Sequence, residues 1–177
     1  MKKLIAATIA TAQVFVLLAW PVLAQQTQTT LSATDKKYLT QDAEGSAYEF
    51  QLAQLGVEKA SDSATQQYAL RVLDDHAKFN SQLMQLAHKK GLTLPVDTNA
   101  QDKSKIERLM QVNGAAFDKA FAKEMARINT SDISDSKREA SMTKDPDIQA
   151  FINQFASTDE DHLQGARSLM GSSAAPS

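Results

Sequence analysis

Residues 63–91 read SATQQYALRVLDDHAKFNSQLMQLAHKKG and decide the fold class of this chain. Apolar side chains recur there every three or four residues, which is the period of one face of an α-helix. This apolar face consists of Ala69, Val72, Leu73, His76, Phe79, Leu83, Leu86 and Ala87. Gly91 follows two lysines and is typical of a left-handed helix end. The pattern predicts a long amphipathic helix over about residues 63–90, with the imidazole of His76 on its apolar face.

Three further long segments have the same helical period. They are predicted at about 34–60, from 114 onward and from Pro146 to about 170, with a shorter helix at about 102–112. No stretch has the alternating apolar pattern of a strand. The one long connection lies between the second and third long segments. The predicted fold is therefore an all-α, up-down four-helix bundle with one crossover or near-crossover connection and a short extra helix before helix three.

Local signals place the helix ends. Thr34 and Asp35 offer side-chain oxygens to the first turn of the first helix. Asp145 and Pro146 are a typical cap and first residue for the fourth long helix. Residues 129–136 read NTSDISDS, which is polar and a poor helix former. The second half of the third long helix is therefore predicted to kink or fray.

The first residues have the pattern of a secretory signal peptide. Lys2 and Lys3 precede an uncharged stretch over 4–24, which ends in small residues. An uncleaved membrane anchor is the alternative, because the stretch is long enough to span a bilayer. Pro21 near its end favours cleavage after Ala24, which predicts a periplasmic or secreted protein.

Cleavage divides the chain into four predicted parts. They are a signal peptide over 1–24, a flexible leader over 25–33, a four-helix bundle over 34–170 and a disordered tail over 171–177. Loss of Lys2 and Lys3 lowers the formal net charge from −2 to −4. A mildly acidic domain disfavours a nucleic-acid partner, and the mature segment has no integral membrane span. The oligomeric state is left open.

The composition excludes several chemistries. The chain contains no cysteine, which excludes disulfides, thiolate catalysis, thiolate metal ligands and a lipid anchor on cysteine. The sequence also lacks a Gly-x-Ser-x-Gly nucleophile elbow and a glycine-rich phosphate loop. No catalytic residues are predicted.

Two histidines are placed on apolar helix faces. His76 lies on the face described above, and His162 lies seven residues after Phe155. Asp159 precedes His162 by three residues and shares its helical face. An imidazole and a carboxylate so placed suit iron, zinc or manganese in the interior of a bundle. The candidate metal ligands are Glu49, Asp75, His76, Asp132, Asp159 and His162.

A purely structural role for the same histidines is the alternative. A buried imidazole is commonly satisfied by a carboxylate on a facing helix. An Asp159–His76 pair or a Glu49–His162 pair would meet that need without a metal. The third histidine, His88, lies beside two lysines at a helix end and is predicted to be solvated.

Several stretches resemble one family of exported bacterial proteins. They are Leu55–Ser61, Tyr68–His76, Lys89–Pro95, Gly114–Asp118 and Asp145–Asp147 together with His162. The chain is similar over about residues 37–169 to the ferritin-like domain-of-unknown-function family 4142, whose members are described as outer-membrane or periplasmic proteins. The resemblance implies a ferritin-like four-helix bundle and implies no established reaction.

The resemblance also implies a set of site residues. Glu49, the pair Asp75-His76, Asp132 and His162 match the positions at which members carry Glu, Asp-His, Asp and His. Ile128 and Asn129 stand where an Asp-His pair is usual, and Gln51 stands where a second Glu is common. A metal site of the family would therefore have one imidazole fewer in this chain.

Two functions follow as expectations. The first is a non-catalytic, envelope- or stress-associated role in the periplasm, through contact with a protein or envelope partner. The alternative is a metal-binding, ferritin-like protein that uses its inward histidines and carboxylates in metal or oxidative stress. The sequence leaves the reaction, the metal and the partner open.

Overall fold

The structure is a computed structural model that describes residues 30–172, and within this range the chain forms five helices and no strand. They are α1 (Ala33–Lys59), α2 (Ser63–Lys89), α3 (Ala100–Met110), α4 (Gly114–Met142) and α5 (Pro146–Ser172). The all-α prediction is confirmed. The predicted signal peptide, most of the predicted leader and residues 173–177 lie outside the described residues. None of these helices combines the length and apolarity needed to cross a membrane.

The four long helices pack side by side in a closed ring. Helix α1 packs against α2 and α4, and α5 packs against α2 and α4. Lys90, at the end of α2, is 2.6 Å from Asp145, which precedes α5. Lys59, at the end of α1, donates to Asn113, which precedes α4. The connection over 91–113 therefore runs from one end of the ring to the other, and α2 and α4 point in the same direction.

Two of the three predicted helix ends are confirmed. Gly91 has a φ of 66°, which is the left-handed conformation expected after α2. Asp145 Oδ1 accepts from the backbone N–H of Ile148 at 3.3 Å, in the first turn of α5.

The start of α1 differs from the prediction. Ser32, rather than Thr34, is the cap, because its Oγ accepts from the backbone N–H of Asp35 at 3.0 Å. The Asp35 carboxylate accepts in return from the backbone N–H of Ser32 at 2.9 Å, which completes a capping box. Leu31 is buried in the core, so this part of the predicted leader is ordered packing rather than a flexible segment.

The predicted kink in the third long helix is wrong. Helix α4 continues through residues 129–136 to Met142. Asn129 and Glu139 are buried on its inner face, and Thr130 Oγ1 donates back to the carbonyl of Ala126 at 2.7 Å. Contacts with the other helices therefore outweigh the low helix propensity of this segment.

The core consists of two apolar clusters, one toward each end of the ring. The first cluster includes Leu52, Val72, Phe117, Phe121, Met125 and Ala166. The second cluster includes Leu39, Leu83, Ile148, Phe151 and Phe155. Polar residues lie between the two clusters on α1, α2 and α5, and follow the apolar segment of α4. Together they form what we call the polar layer: Asp42, Ser46, Glu49, His76, Asn129, Asp132, Asp159 and His162.

Candidate metal centre

Three side chains of the polar layer converge from three helices. Glu49 of α1, His76 of α2 and His162 of α5 each place one possible ligand atom within 4.8 Å of the other two. Their exposed fractions are 2%, 5% and 2%, so bulk water does not solvate them. The arrangement brings two imidazoles and one carboxylate to a single point in the protein interior.

A serine on α1 orients the ring of His76. The Nδ1 atom of His76 is 2.8 Å from Ser46 Oγ. Its Nε2 atom lies 3.6 Å from Glu49 Oε1. A proton on Nδ1, donated to Ser46, leaves the lone pair of Nε2 directed toward the carboxylate. Burial lowers the pKa of His76 to about 4, so the ring is neutral at neutral pH.

An aspartate on α2 orients the ring of His162. The Nε2 atom of His162 is 3.2 Å from Asp75 Oδ2. Its Nδ1 atom is buried and has no hydrogen-bond partner among residues 30–172. Burial, together with His76, lowers the pKa of His162 to about 4. The two imidazole rings stack with their centroids 5.6 Å apart.

A tyrosine fixes the backbone at His162. Tyr68 donates its hydroxyl hydrogen to the carbonyl of His162 at 3.0 Å. Its ring lies so close to Gly165 that a Cβ atom there would be 2.7 Å from Tyr68 Cε2. Glycine at residue 165 therefore lets the tyrosine ring approach α5 and hold the histidine in place.

Carboxyl groups from two other helices surround Glu49. Asn129 Nδ2 donates to Glu49 Oε2 at 2.9 Å. The Asp132 carboxyl group lies beside that of Glu49. Burial raises the pKa of both groups, and the charge of Glu49 raises that of Asp132 further. Burial also raises the pKa of Asp159 to about 6.

The six residues selected from the sequence are placed in three ways. Glu49, His76 and His162 form the convergent cluster. Asp132 and Asp159 lie beside it, where they act on the electrostatics of the cluster. The sixth residue, Asp75, does not face the cluster. It contacts the outer nitrogen of His162, and its side chain is 30% exposed.

The pairs that satisfy the two histidines differ from those predicted. The predictions were Asp159 with His76 and Glu49 with His162. The contacts within ion-pair distance are Glu49 with His76 and Asp75 with His162. Helix periodicity places a residue on a face but does not fix its level relative to a facing helix, so the sequence could not choose between these pairs.

Sequence reasoning missed Ser46 and Asp42. Both share a face of α1 with Glu49, because the three positions are separated by four and three residues. This spacing of polar residues on an otherwise apolar face was a signal that could have found them. Asn129 was noted only as a departure from the family pattern, and its amide occupies the place beside Glu49.

The fold and the site together define an all-helical protein with a buried imidazole–carboxylate layer. The family model described as "Domain of unknown function (DUF4142)" matches residues 21–169, and the chain belongs to this family. Among solved structures, the chain is similar to a DUF305 fragment from Deinococcus radiodurans, with a TM-score of 0.72 at 10% identity, covering 81% of this chain and 99% of that one. None of the curated proteins matches.

Proposed function

We propose that this protein binds one divalent transition-metal ion through Glu49, His76 and His162. The observation that carries the proposal is the convergence of their ligand atoms within 4.8 Å in the protein interior. Two imidazoles and one carboxylate are a ligand set used for zinc and for non-haem iron, and manganese also accepts it. Three protein ligands leave coordination positions open for water or a small ligand.

The outer contacts of the two histidines support this proposal. Ligating histidines usually donate their second ring N–H to an oxygen, which fixes the ring and raises its basicity. Ser46 Oγ lies 2.8 Å from Nδ1 of His76, and Asp75 Oδ2 lies 3.2 Å from Nε2 of His162. Each histidine thus keeps one nitrogen for the cation. For His162 that nitrogen is Nδ1.

The unsatisfied atoms of the layer favour a ligand over a purely structural network. His162 Nδ1 and Asn129 Oδ1 are buried without hydrogen-bond partners among the described residues. A buried polar network that serves stability alone is expected to satisfy its members, because an unpaired buried acceptor costs about 1–3 kcal/mol. A cation at the cluster would engage the Nδ1 lone pair.

The architecture and the compartment belong to the same proposal. The ring of four long helices, with its connection over 91–113 running from end to end, supports a ferritin-like four-helix bundle. The signal-peptide pattern supports export and cleavage after Ala24. Determination of the mature N-terminus, together with fractionation of the cells, tests export. A mature chain that begins at Met1 or remains in the cytosol would contradict it.

The metal content of the untagged protein, purified from the exported fraction, tests the proposed function. We expect one metal per chain and the same stoichiometry in a Co²⁺ titration followed by absorbance. His162→Ala should weaken binding by more than about 100-fold, since even outer contacts of a ligand are worth about 10- to 100-fold. His88→Ala is the matched control, because His88 is exposed.

Background metal content in the purified protein, with no Co²⁺ bound on titration, would contradict the proposal. That result would favour the other function expected from the sequence, a non-catalytic role through contact with a protein or envelope partner. Equal loss of Co²⁺ in His88→Ala and His162→Ala would also contradict it, because binding would then not depend on the buried cluster.

A further inference from the structure

A second acidic feature lies on the α1–α4 side of the polar layer. A cavity of about 140 Å³ opens there between the first half of α1 and the second half of α4. Its acidic lining consists of Asp42, Asp132, Asp135 and Glu139. Lys37 and Arg138 are its basic lining residues, so acidic groups outnumber basic ones.

Three of these carboxyl groups have no basic partner. Asp135 pairs with Arg138 at 2.6 Å. Among residues 30–172, no Lys or Arg lies within ion-pair distance of Asp42, Asp132 or Glu139. Partly buried carboxyl groups without a cationic partner are unusual in folded proteins. The cavity therefore holds negative charge, or protons in its place, that the protein itself does not compensate.

Glu139 provides an independent sign of a ligand. Its exposed fraction is 3%, it lines the cavity, and its Oε1 atom has no hydrogen-bond partner among the described residues. Burial, together with the neighbouring carboxyl group of Asp35, raises the pKa of Glu139 to about 7. Two buried carboxyl groups side by side favour a proton or a cation between or beside them.

The cavity is continuous with the proposed metal centre through one residue. Asp132 lines the cavity, and its carboxyl group also lies beside that of Glu49. A cation that exchanged its hydration water for the Asp132 carboxylate would therefore be next to a ligand of the centre. The carboxyl groups of the cavity do not themselves converge as closely as Glu49, His76 and His162, which suits brief contact with a hydrated ion.

We propose that the cavity between α1 and α4 is the entrance through which a hydrated divalent cation reaches Glu49, His76 and His162. This inference rests on the proposed function. The carboxyl groups of Asp42 and Glu139 offer oxygen ligands at the mouth, and acidic walls of low polarizability attract cations there because they focus the electric field. Asp132, which lines the cavity, then passes the ion to Glu49.

The opposite side of the layer provides the competing route. A groove between α2 and α5 reaches His162 and is lined by Arg71, Asp75 and Asp161. The guanidinium of Arg71 disfavours an approaching cation, and Asp75 is engaged with Nε2 of His162. Neutralising an acidic residue in this groove is therefore the matched control for neutralising one in the cavity.

Stopped-flow measurement of Co²⁺ loading into the metal-free mature protein tests the entrance, at pH 7.5 and low ionic strength. Glu139→Gln and Asp42→Asn should each slow loading by about 3- to 10-fold, since focusing by a charged cleft is worth about 10- to 1,000-fold in total. The stoichiometry should stay at the wild-type value, and Asp161→Asn should load at the wild-type rate. Added salt should reduce the difference.

The outcomes separate the two proposals. Normal stoichiometry with unchanged loading rates in both cavity variants overturns the entrance and leaves the metal centre intact. A larger effect in Asp161→Asn than in Glu139→Gln places the entrance in the α2–α5 groove and also overturns the inference. A wild-type protein that takes up no Co²⁺ overturns the metal centre and the entrance together.

Discussion

The two apolar clusters and the polar layer between them differ in how their atoms are satisfied. The apolar clusters contain side chains such as Phe121 and Leu52, which are fully buried and need no partner. The polar layer contains His162, whose Nδ1 atom is buried without a hydrogen bond within the described range. The clusters provide the free energy of folding, whereas the layer opposes it.

The comparison indicates why the polar layer is a functional region rather than a stabilising one. Burial raises the pKa of Glu49 and lowers the pKa of His76, so burial opposes the charged state of both groups. An apolar layer of the same volume would be at least as stable. A layer that weakens the fold and places ligand atoms together is best explained by binding.

The largest expected effect is in an apolar cluster. Phe121→Ala should lower the free energy of unfolding by about 3–5 kcal/mol, because it removes a fully buried ring and leaves a cavity. Glu49→Gln, in the polar layer of the metal-free protein, should not lower it at pH 8, since it removes a carboxylate whose burial is unfavourable. Urea denaturation measures both. Equal destabilisation by the two variants would show that the apolar clusters and the polar layer contribute equally to stability.

A smaller effect is expected on metal affinity outside the cluster. Asp75→Asn should weaken Co²⁺ binding by about 10- to 100-fold, because it removes the charge that holds Nε2 of His162 protonated and Nδ1 free. Asp74→Asn is the control, because the Asp74 carboxylate contacts Lys78 on the exposed face of α2. Isothermal titration measures both affinities. Wild-type affinity in Asp75→Asn would show that the contact between Asp75 and His162 does not contribute to metal binding.

The pH dependence of stability tests whether the buried carboxyl groups hold protons in the folded state. Burial raises the pKa of Glu49 to about 8 and that of Glu139 to about 7, above their unfolded values, so the folded state binds more protons between pH 6.5 and 8. The metal-free protein should therefore lose stability as the pH rises through this window, by about 1–2 kcal/mol. Both buried histidines are neutral throughout it.

Thermal unfolding at pH 6.5 and pH 8 tests this sign, with Glu49→Gln as the variant that should flatten the dependence. Saturating Zn²⁺ should reverse the trend, because the ion displaces the proton of Glu49 and binds better as that proton leaves. A metal-free protein that becomes more stable from pH 6.5 to pH 8 would show that the carboxyl groups of the layer are not held protonated.

The smallest expected effect concerns a single contact inside the layer. Ser46→Ala should lower the free energy of unfolding by about 1 kcal/mol, since it removes the hydrogen bond to Nδ1 of His76. Ser81→Ala, on the exposed face of α2, should change it by less. Chemical denaturation distinguishes the two. A larger loss in Ser81→Ala would mean that Ser46 is not an important support of the histidine.

The sequence predicted the helices well and the cross-helix contacts poorly. The ends at Gly91 and Asp145 were predictable because capping depends on neighbours within one turn. The continuity of α4 through residues 129–136 was not, because its polar side chains are stabilised by partners on α1, such as Glu49 with Asn129. Local propensity contains no information about partners 80 residues away.

What the sequence determined by itself is the all-helical class and the placement of His76 and His162 on inward faces, because helical period and capping are local properties. What only the tertiary structure decided is which groups meet. Asp75 lies beside His76 in the sequence, yet it contacts His162, 87 positions away. The relative level and rotation of packed helices set such pairs, and these follow from the fit of whole helix surfaces rather than from any single segment.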